Sequence, residues 1–122
     1  MDASRLIQFA QYIDSRGVLV FGEIGSELPF TVQRVFWMIH TPASAIRGGH
    51  AHKECHQFLV ALKGSVSIKC GGVNYVLDSP YIGLYVPPKN SITLSGFTEG
   101  SVILVLCSHK YNKEDYINDQ IS

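Results

Sequence analysis

Short apolar runs rich in Val, Ile and aromatic residues recur along this chain between turn-forming residues. β-Branched and aromatic residues favour strands, and each run has the length of a strand rather than of a helix. No stretch carries the 3.6-residue period of a long amphipathic helix. The strands predicted from these runs span residues 18–24, 32–40, 57–62, 65–70, 73–77, 82–86, 91–95 and 101–108. The pattern predicts an all-β domain.

Glycines mark where the predicted strands turn. Gly71 and Gly72 form a two-residue loop that suits a tight hairpin, and Gly64 separates another pair of runs. Apolar and polar residues alternate strictly over residues 66–70. Because strand side chains alternate between two faces, the Val, Ile and Cys side chains of this range are expected to point inward.

One short segment has the pattern of a helix. It covers residues 112–117, with Asn112 as a possible N-cap and acidic residues in the first turn. The sequence contains no internal repeat, linker or low-complexity segment, so residues 1–122 are expected to form a single domain. Many short strands in one chain must close into a barrel or stack as two sheets, because exposed edges invite aggregation. A jelly roll or small β-barrel is therefore predicted.

Composition narrows the class of protein. Hydrophobic residues make up 46% and charged residues 16% of the chain, which indicates a folded domain with part of its surface covered by a partner subunit. Ten basic and ten acidic residues give a net charge of zero, so neither nucleic acid nor an anionic membrane is expected as a partner. The chain shows no secretory signal and no apolar run of roughly 18 residues. Three cysteines without paired spacing fit free thiols, and a cytoplasmic location is predicted.

Candidate chemistry concentrates in residues 47–59. His50 and His52 lie two apart in an extended segment, so their side chains project from the same face. Arg47 and the two glycines after it place a fixed cation and an accessible backbone beside that pair. These features predict a site for an anionic ligand.

Other interpretations of this segment remain open. The histidines could be an ordinary solvent-facing pair, and His50, His52, Cys55 and His56 together could bind zinc. A structural zinc site usually draws ligands from a distant segment, which the sequence does not reveal. Burial is the expected role of Cys55, and His56 is expected at the surface or rim of the site because its strand phase is opposite. The isolated His40 and His109 are interpreted as structural.

The same residues resemble the cupin superfamily. The cupin pattern has two histidines separated by one residue, then an acid, a glycine at the next turn, and a third histidine on a later strand after a proline. His50, His52 and Gly64 occupy matching positions, whereas Gln57 stands at the acid position and Ile92 at the position of the third histidine. Two imidazoles without those partners would hold a divalent ion poorly, so neither a metal nor another cofactor is predicted.

Within the cupins the chain is similar to the nucleotide-linked sugar 3,4-ketoisomerases. The resemblance covers nearly the whole chain, and the run from Arg47 to Lys53 is its most specific part. The other matching segments are residues 28–30, 34–35, 57, 102–108, 111 and 115–117. It implies a cupin jelly roll that converts dTDP-4-keto-6-deoxyglucose to a 3-keto sugar through an enediol, in deoxysugar biosynthesis for polysaccharide or O-antigen.

The resemblance also implies residue roles. His50 would remove the C3 proton and His52 would assist the transfer, since histidine exchanges protons near neutral pH. Arg47 and Gln57 would orient the substrate, a dTDP-linked keto sugar. The remaining predicted substrate-binding residues are Arg34, Phe36 and Ile92. A homodimer that pairs through an N-terminal strand is expected, because relatives pair in this way and the run beginning at Val18 is apolar.

Two departures from the family pattern leave alternatives. Relatives usually carry tyrosine where this chain has Phe36-Trp37, and arginine or histidine where it has Ile92. Both changes remove polar groups. The chain could therefore be an isomerase of altered stereochemistry or rate, or a nucleotide-sugar-binding cupin without turnover. A metal-dependent cupin enzyme is the remaining alternative.

Overall fold

Strands form every regular element but one in the computed structural model, which describes residues 3–118. The exception is a 3-10 helix at Lys113–Asp115, and no α-helix occurs among the described residues. The strands are β1 (Arg5–Gln8), β2 (Ala10–Asp14), β3 (Gly17–Phe21), β4 (Arg34–Met38), β5 (Arg47–His52), β6 (Gln57–Lys63), β7 (Val66–Cys70), β8 (Val73–Leu77), β9 (Ile82–Val86), β10 (Ile92–Ser95), β11 (Val102–Cys107) and β12 (Tyr116–Asn118). The all-β prediction is confirmed.

Ten of these strands form two five-stranded sheets. One sheet has the order β1-β9-β6-β11-β4 and the other has the order β12-β5-β10-β7-β8, while β2 and β3 pair as a separate hairpin. A core cluster joins the two sheets: Leu59 and Val105 from the first pack with Ile68 and Leu94 from the second. The molecule is thus a sandwich whose inner faces supply the core, as expected for a jelly roll.

The eight strands predicted from apolar runs are all present, with end points that differ by at most a few residues. Gly71 and Gly72 have φ of 55° and 83° in the β7–β8 hairpin, which is the left-handed backbone that a tight two-residue turn requires. The alternation in β7 is also confirmed, with its Val, Ile and Cys side chains buried. Gly64 separates β6 from β7, and these two strands belong to different sheets.

The predicted C-terminal helix is partly wrong. Asn112 caps it as expected, since its side chain accepts a hydrogen bond from the Glu114 amide at 3.0 Å. The helix ends at Asp115, however, and Tyr116 begins a strand that pairs with His52. Pairing with β5 supplies backbone hydrogen bonds that local helical propensity could not match.

β1, β2, β5 and β12 are not among the strands predicted from apolar runs. β1 is half polar, with Arg5 and Gln8 at its ends, and it is held by antiparallel pairing to β9.

No helix of the described residues is long and apolar enough to cross a membrane.

Candidate active site

A cavity of about 260 Å³ opens between the two sheets. β5 and β10 supply one wall, and β4, β6 and β11 supply the other. The cavity is lined by Arg34, Phe36, Met38, Arg47, Gly48, His50, Gln57, Leu59, Ile92, Leu94, Val105 and Tyr116. Six of the seven predicted site residues are in this set. The seventh, His52, lies beside the cavity rather than on its wall.

The two histidines and Tyr116 form a cluster of three rings. The ring centres of His50 and His52 are 5.6 Å apart and meet edge to face. The ring of Tyr116 lies 4.5 Å from each of them. Alternation along β5 puts both imidazoles on one face, and the pairing of Tyr116 with His52 brings the phenol ring to the same place.

Asp115 holds His52 in a fixed orientation. Its Oδ2 lies 3.0 Å from His52 Nδ1, and its two oxygens accept hydrogen bonds from the backbone amides of Glu54 at 2.9 Å and Cys55 at 3.3 Å. Burial by itself would raise the pKa of the Asp115 carboxyl, but the hydrogen bonds from Glu54, His52 and Cys55 outweigh it and lower that pKa. Asp115 is therefore a carboxylate at neutral pH.

The carboxylate also determines which nitrogen of His52 is free. A neutral imidazole that donates its Nδ1 proton to Asp115 leaves Nε2 as an acceptor. Nε2 is buried and makes no hydrogen bond with any described residue. A buried polar atom of this kind needs a partner that the protein itself does not supply, such as a bound ligand or water.

The surroundings of His50 favour its neutral form. Burial lowers the pKa of its imidazole, and the positive charge that His52 can carry lowers it further. A lowered pKa keeps His50 unprotonated at neutral pH, so its ring can accept a proton. His50 lines the cavity, where a ligand can reach it.

Two arginines approach the cavity from different sheets. The guanidinium of Arg34 lies 4.6 Å above the ring of Phe36 and 5.4 Å from the ring of Tyr111, which restrains it by cation–π contact. Arg47 is exposed at the start of β5. Together they place positive charge around one cavity, which suits an anionic ligand.

Gln57 and Ile92 complete the walls. Gln57 is buried, and its amide Nε2 is 4.0 Å from the sulfur of Cys107. Ile92 pairs with His50 across the β5–β10 ladder, so the residue at the position of the third cupin histidine does lie beside the first histidine. An alkyl side chain there cannot bind a metal or donate a proton.

The other histidines lie outside the cavity. His56 is half-buried, its Nδ1 lies 2.7 Å from the hydroxyl of Tyr85, and its ring stacks on that residue. His109 is exposed and contacts the hydroxyl of Ser108 at 2.7 Å. His40 is exposed with φ of 55°. None of the three lines the cavity.

Cys55 is buried, as predicted, and all three cysteines are free thiols. A hydrogen bond from Cys107 lowers the pKa of the Cys55 thiol to about 5, although burial opposes this shift. The same contact, together with burial, raises the pKa of Cys107. Of the two thiols, Cys55 is the one that ionises more readily.

Sequence reasoning did not assign Asp115 and Tyr116 to the site. Both fall in a segment that resembles the family, but the local sequence pattern favours a helix there. The signal that could have found them is the predicted cap at Asn112, because the turn that it starts buries Asp115. The partner of that acid, His52, could be identified only from the pairing of β12 with β5.

The sequence of the chain matches a known family over nearly its whole length. It belongs to the FdtA family, described as WxcM-like, C-terminal, whose sequence profile matches residues 2–122. The prediction of the nucleotide-linked ketoisomerase family is confirmed, and so is the predicted enzyme class, an isomerase.

Individual relatives cover almost the whole chain. It is 39% identical over 118 residues to TDP-4-oxo-6-deoxy-alpha-D-glucose-3,4-oxoisomerase of Aneurinibacillus thermoaerophilus, spanning 93% of this chain and 85% of that protein. It is similar to the crystal structure of QdtA, a sugar 3,4-ketoisomerase from Thermoanaerobacterium thermosaccharolyticum in complex with TDP. The TM-score is 0.89 with 35% identity, covering 97% of this chain and 89% of that one.

A third relative is WlaRB, a TDP-quinovose 3,4-ketoisomerase from Campylobacter jejuni. It matches with a TM-score of 0.91 and 30% identity over 98% of this chain and 95% of that one. These similarities confirm the predicted cupin jelly roll.

Proposed function

We propose that this chain is a sugar 3,4-ketoisomerase that converts dTDP-4-keto-6-deoxyglucose to a dTDP-3-keto-6-deoxyhexose without a metal. The single observation that carries the proposal is the placement of His50 on the wall of a cavity, beside a His52 that is oriented by Asp115. The relatives named above act on, or bind, TDP-linked compounds of this class according to their names.

His50 is the base in the proposed reaction. A hydrogen on C3 is acidic because it lies next to the C4 carbonyl. His50 removes it, which gives the anion of a 3,4-enediol with its charge on the C4 oxygen. His52 Nε2 then takes the proton of the C3 hydroxyl and passes it to the C4 oxygen. Protonated His50 returns its proton to C4 as the carbonyl forms at C3. A neutral imidazole can accept the first proton and, once charged, donate the second.

His52 exchanges protons with the sugar oxygens in the proposed reaction. The Asp115 carboxylate accepts a hydrogen bond from the Nδ1–H group of His52. The buried Nε2 is therefore the nitrogen that can exchange a proton or a hydrogen bond with the substrate. Asp115 would also stabilise the charged imidazolium that forms if His52 takes up a proton. The ring of Tyr116 contacts both imidazoles and restrains them.

The remaining residues bind and orient. The cavity of about 260 Å³ is at the small end for a ligand site, which suits the hexose and leaves the nucleotide outside. Arg47, exposed at the rim, is placed to contact the diphosphate, while Gln57 and Arg34 face the sugar. Phe36 and Ile92 give the sugar an apolar wall.

Two alternatives differ in their chemistry. A nucleotide-sugar-binding cupin without turnover is favoured by the apolar Phe36 and Ile92, which replace polar groups in the cavity wall. A metal-dependent cupin is less well supported, because Ile92 occupies the place of the third histidine beside His50.

The experiment that separates these functions is proton NMR of the nucleotide sugar with the protein in heavy water. An isomerase exchanges the C3 hydrogen for deuterium and produces the 3-keto sugar. A binding protein leaves the C3 signal unchanged while the ligand resonances broaden. If exchange occurs only after iron, manganese or zinc is added to chelator-treated protein, the metal-dependent alternative is correct.

The proposal includes a homodimer. β2 and β3 pair only with each other among the described strands, and an isolated two-stranded hairpin is marginally stable in water. The hairpin nevertheless exposes several large apolar side chains: Tyr12, Ile13, Val18, Leu19 and Phe21. A second copy of the chain that covers this surface would account for both features.

A cytoplasmic location is part of the same proposal. Its support is the set of three free, buried thiols, which fit a reducing compartment, and the presence of nucleotide sugars in the names of the relatives. Fractionation of cells that express a tagged chain would test it, since a cytoplasmic protein is recovered with the soluble cell contents.

A further inference from the structure

His52, Cys55 and Asp115 form a second cluster with chemistry of its own beside the cavity. One ligand atom from each residue lies within 4.8 Å of the other two. All three residues are more than nine-tenths buried, with exposed fractions of 7%, 5% and 9%. Of the positions in the cupin metal set only His52 takes part, because His50, Gln57 and Ile92 lie outside the group. Cys55 and Asp115 are not part of the cupin pattern.

The distances suit a tetrahedral ion. Zinc binds nitrogen and oxygen at roughly 2.0–2.1 Å and sulfur at roughly 2.3 Å, which separates neighbouring ligand atoms by about 3.3–3.6 Å. The 3.0 Å between His52 Nδ1 and Asp115 Oδ2 is close to that value. Cys55 Sγ lies within 4.8 Å of the other two ligand atoms, so it needs to move by about one ångström at most. Binding would also replace the hydrogen bond that the Cys55 thiol donates to the His56 carbonyl oxygen at 3.3 Å, because the thiol loses its proton to the ion.

The donor set determines the kind of ion. An imidazole, a thiol that loses its proton on binding, and a carboxylate provide two negative charges for a divalent cation. Thiolate favours zinc and similar soft or borderline ions over magnesium and calcium. Asp115 supplies the ligand from a distant segment that a zinc site needs and that was not visible in the sequence.

His52 would bind the ion through Nδ1, the nitrogen that lies 3.0 Å from Asp115 Oδ2. The other ring nitrogen, Nε2, is buried without a hydrogen-bond partner among the described residues. It is not a ligand in this cluster and remains the atom that serves the proposed reaction.

We infer that His52, Cys55 and Asp115 bind Zn²⁺ or a similar cation, and that the bound ion inhibits the isomerase by withdrawing His52 from the reaction. Three protein ligands leave a fourth position for water. The ion takes the place of the Nδ1 proton, so the remaining ring proton lies on Nε2 and that nitrogen can no longer accept a proton from the substrate. The binding half of this inference is independent of the proposed function, whereas the inhibition half rests on it.

Cobalt binding tests the site without reference to activity. Chelator-treated protein is titrated with Co²⁺, and the thiolate-to-cobalt absorption band is followed. The expected result is one equivalent of Co²⁺ with a thiolate band, displaced by Zn²⁺. Cys55→Ala should abolish the band and weaken Zn²⁺ binding by roughly 10- to 100-fold or more. Cys70→Ala is the matched control, because Cys70 is also a buried free thiol but lies outside the cluster, and it should bind as the unmodified chain does.

Alkylation of the unmodified protein gives a readout that does not depend on how the variants fold. Zn²⁺ should protect Cys55 from iodoacetamide, measured by mass spectrometry of the peptide that contains it, and should leave the modification of Cys70 unchanged. Absence of a thiolate band, a band that persists in Cys55→Ala, or equal alkylation of Cys55 with and without Zn²⁺ would each overturn the site.

Inhibition is measured separately. Zn²⁺ should lower the rate of C3 deuterium exchange, a chelator should restore it, and Cys55→Ala should be resistant while keeping its basal rate. If the unmodified chain binds Zn²⁺ at Cys55 but its exchange rate is unaffected, the inhibitory role is wrong and the site stands. If no exchange occurs under any condition, the proposed function fails, and the cobalt and alkylation results still decide the site.

Discussion

Individual residues in this site owe their chemistry to their immediate surroundings. His50 and His52 belong to the same strand and the same face, yet one lines the cavity and the other is buried against Asp115. Their environments differ accordingly: burial and a neighbouring imidazole keep His50 neutral, while a carboxylate fixes the tautomer of His52. Identical side chains thereby acquire separate proposed roles.

Replacing His50 by asparagine should remove turnover and leave the fold intact. The change keeps a polar side chain at a half-buried cavity position, so the free energy of unfolding should change by less than about 1 kcal/mol. The rate of C3 exchange should fall by about 10²- to 10⁴-fold, the usual contribution of a general base. Exchange kinetics and denaturant unfolding measure the two effects, and marked unfolding with no specific loss of rate would indicate a structural histidine.

The pH dependence should report the lowered pKa of His50. A base must be unprotonated to act, and a depressed pKa means that protonation occurs only at lower pH. The acid limb of kcat/KM should therefore have an apparent pKa below the ordinary value of about 6.5. A pH–rate profile measures it, with the affinity for TDP as a control for binding. A limb centred clearly above that value would assign the base to another group.

Whole elements bring the residues of the site together. β5 carries the histidines, but its neighbours β10 and β12 provide Ile92 on one side and the segment that follows Asp115 on the other. The register between β5 and β10 shifts between Ile92 and Thr93, opposite the glycines that precede His50. The geometry of the site therefore depends on a local irregularity in the ladder.

Gly48 makes that irregularity possible, and alanine there should disrupt it. Gly48 has φ of 91°, and a Cβ at this position would lie 2.5 Å from the carbonyl oxygen of Ile92. Gly72 has φ of 83° with nothing within 4 Å of the added atom, so Gly72→Ala is a matched control for backbone strain alone. That strain costs about 1–3 kcal/mol in either variant.

The clash adds a further cost of about 1–3 kcal/mol to Gly48→Ala only. Gly48→Ala should also reduce turnover, because the displaced strand carries His50. Denaturant unfolding and exchange kinetics on both variants test this. Equal losses of stability in the two variants, with full activity in Gly48→Ala, would contradict it.

The sequence alone predicts strands that have a local pattern of apolar residues. It does not predict strands that are held by pairing with distant segments. Strands such as β7 and β9 bury alternate or continuous apolar residues, so composition and period identified them. β1 and β12 are stabilised by pairing with β9 and β5, and their own residues carry little signal. The same reason explains why His50 and Arg47 were predicted for the site and Asp115 was not.

At the scale of the whole molecule, the two sheets account for the core, and the β2–β3 hairpin is left outside it. The inner faces of both sheets are buried around residues such as Leu84 in the first sheet and Ile68 in the second. The hairpin instead has apolar side chains on its surface, and it pairs with no other described strand. A second copy of the chain is the partner expected to cover it.

A charge introduced on the hairpin should weaken the dimer. Leu19 in β3 is 62% exposed, and Val76 in β8 is 60% exposed on a different part of the molecule. The unmodified chain should have twice its 13.5 kDa mass by light scattering. Leu19→Glu should shift the protein toward the monomer because burying a carboxylate in an interface is costly, whereas Val76→Glu should not. A monomeric unmodified chain would contradict the dimer.

His52 and the carboxylate of Asp115 are 63 residues apart in the chain, although they are in contact in the fold. The histidines of β5 leave the ribosome well before residues 113–118, which bring the carboxylate and the last strand. His52 therefore gains its anionic partner only when this late segment docks against β5. Removal of Lys113 and the residues after it should leave β5 without its edge strand and His52 without its carboxylate, and so lower turnover.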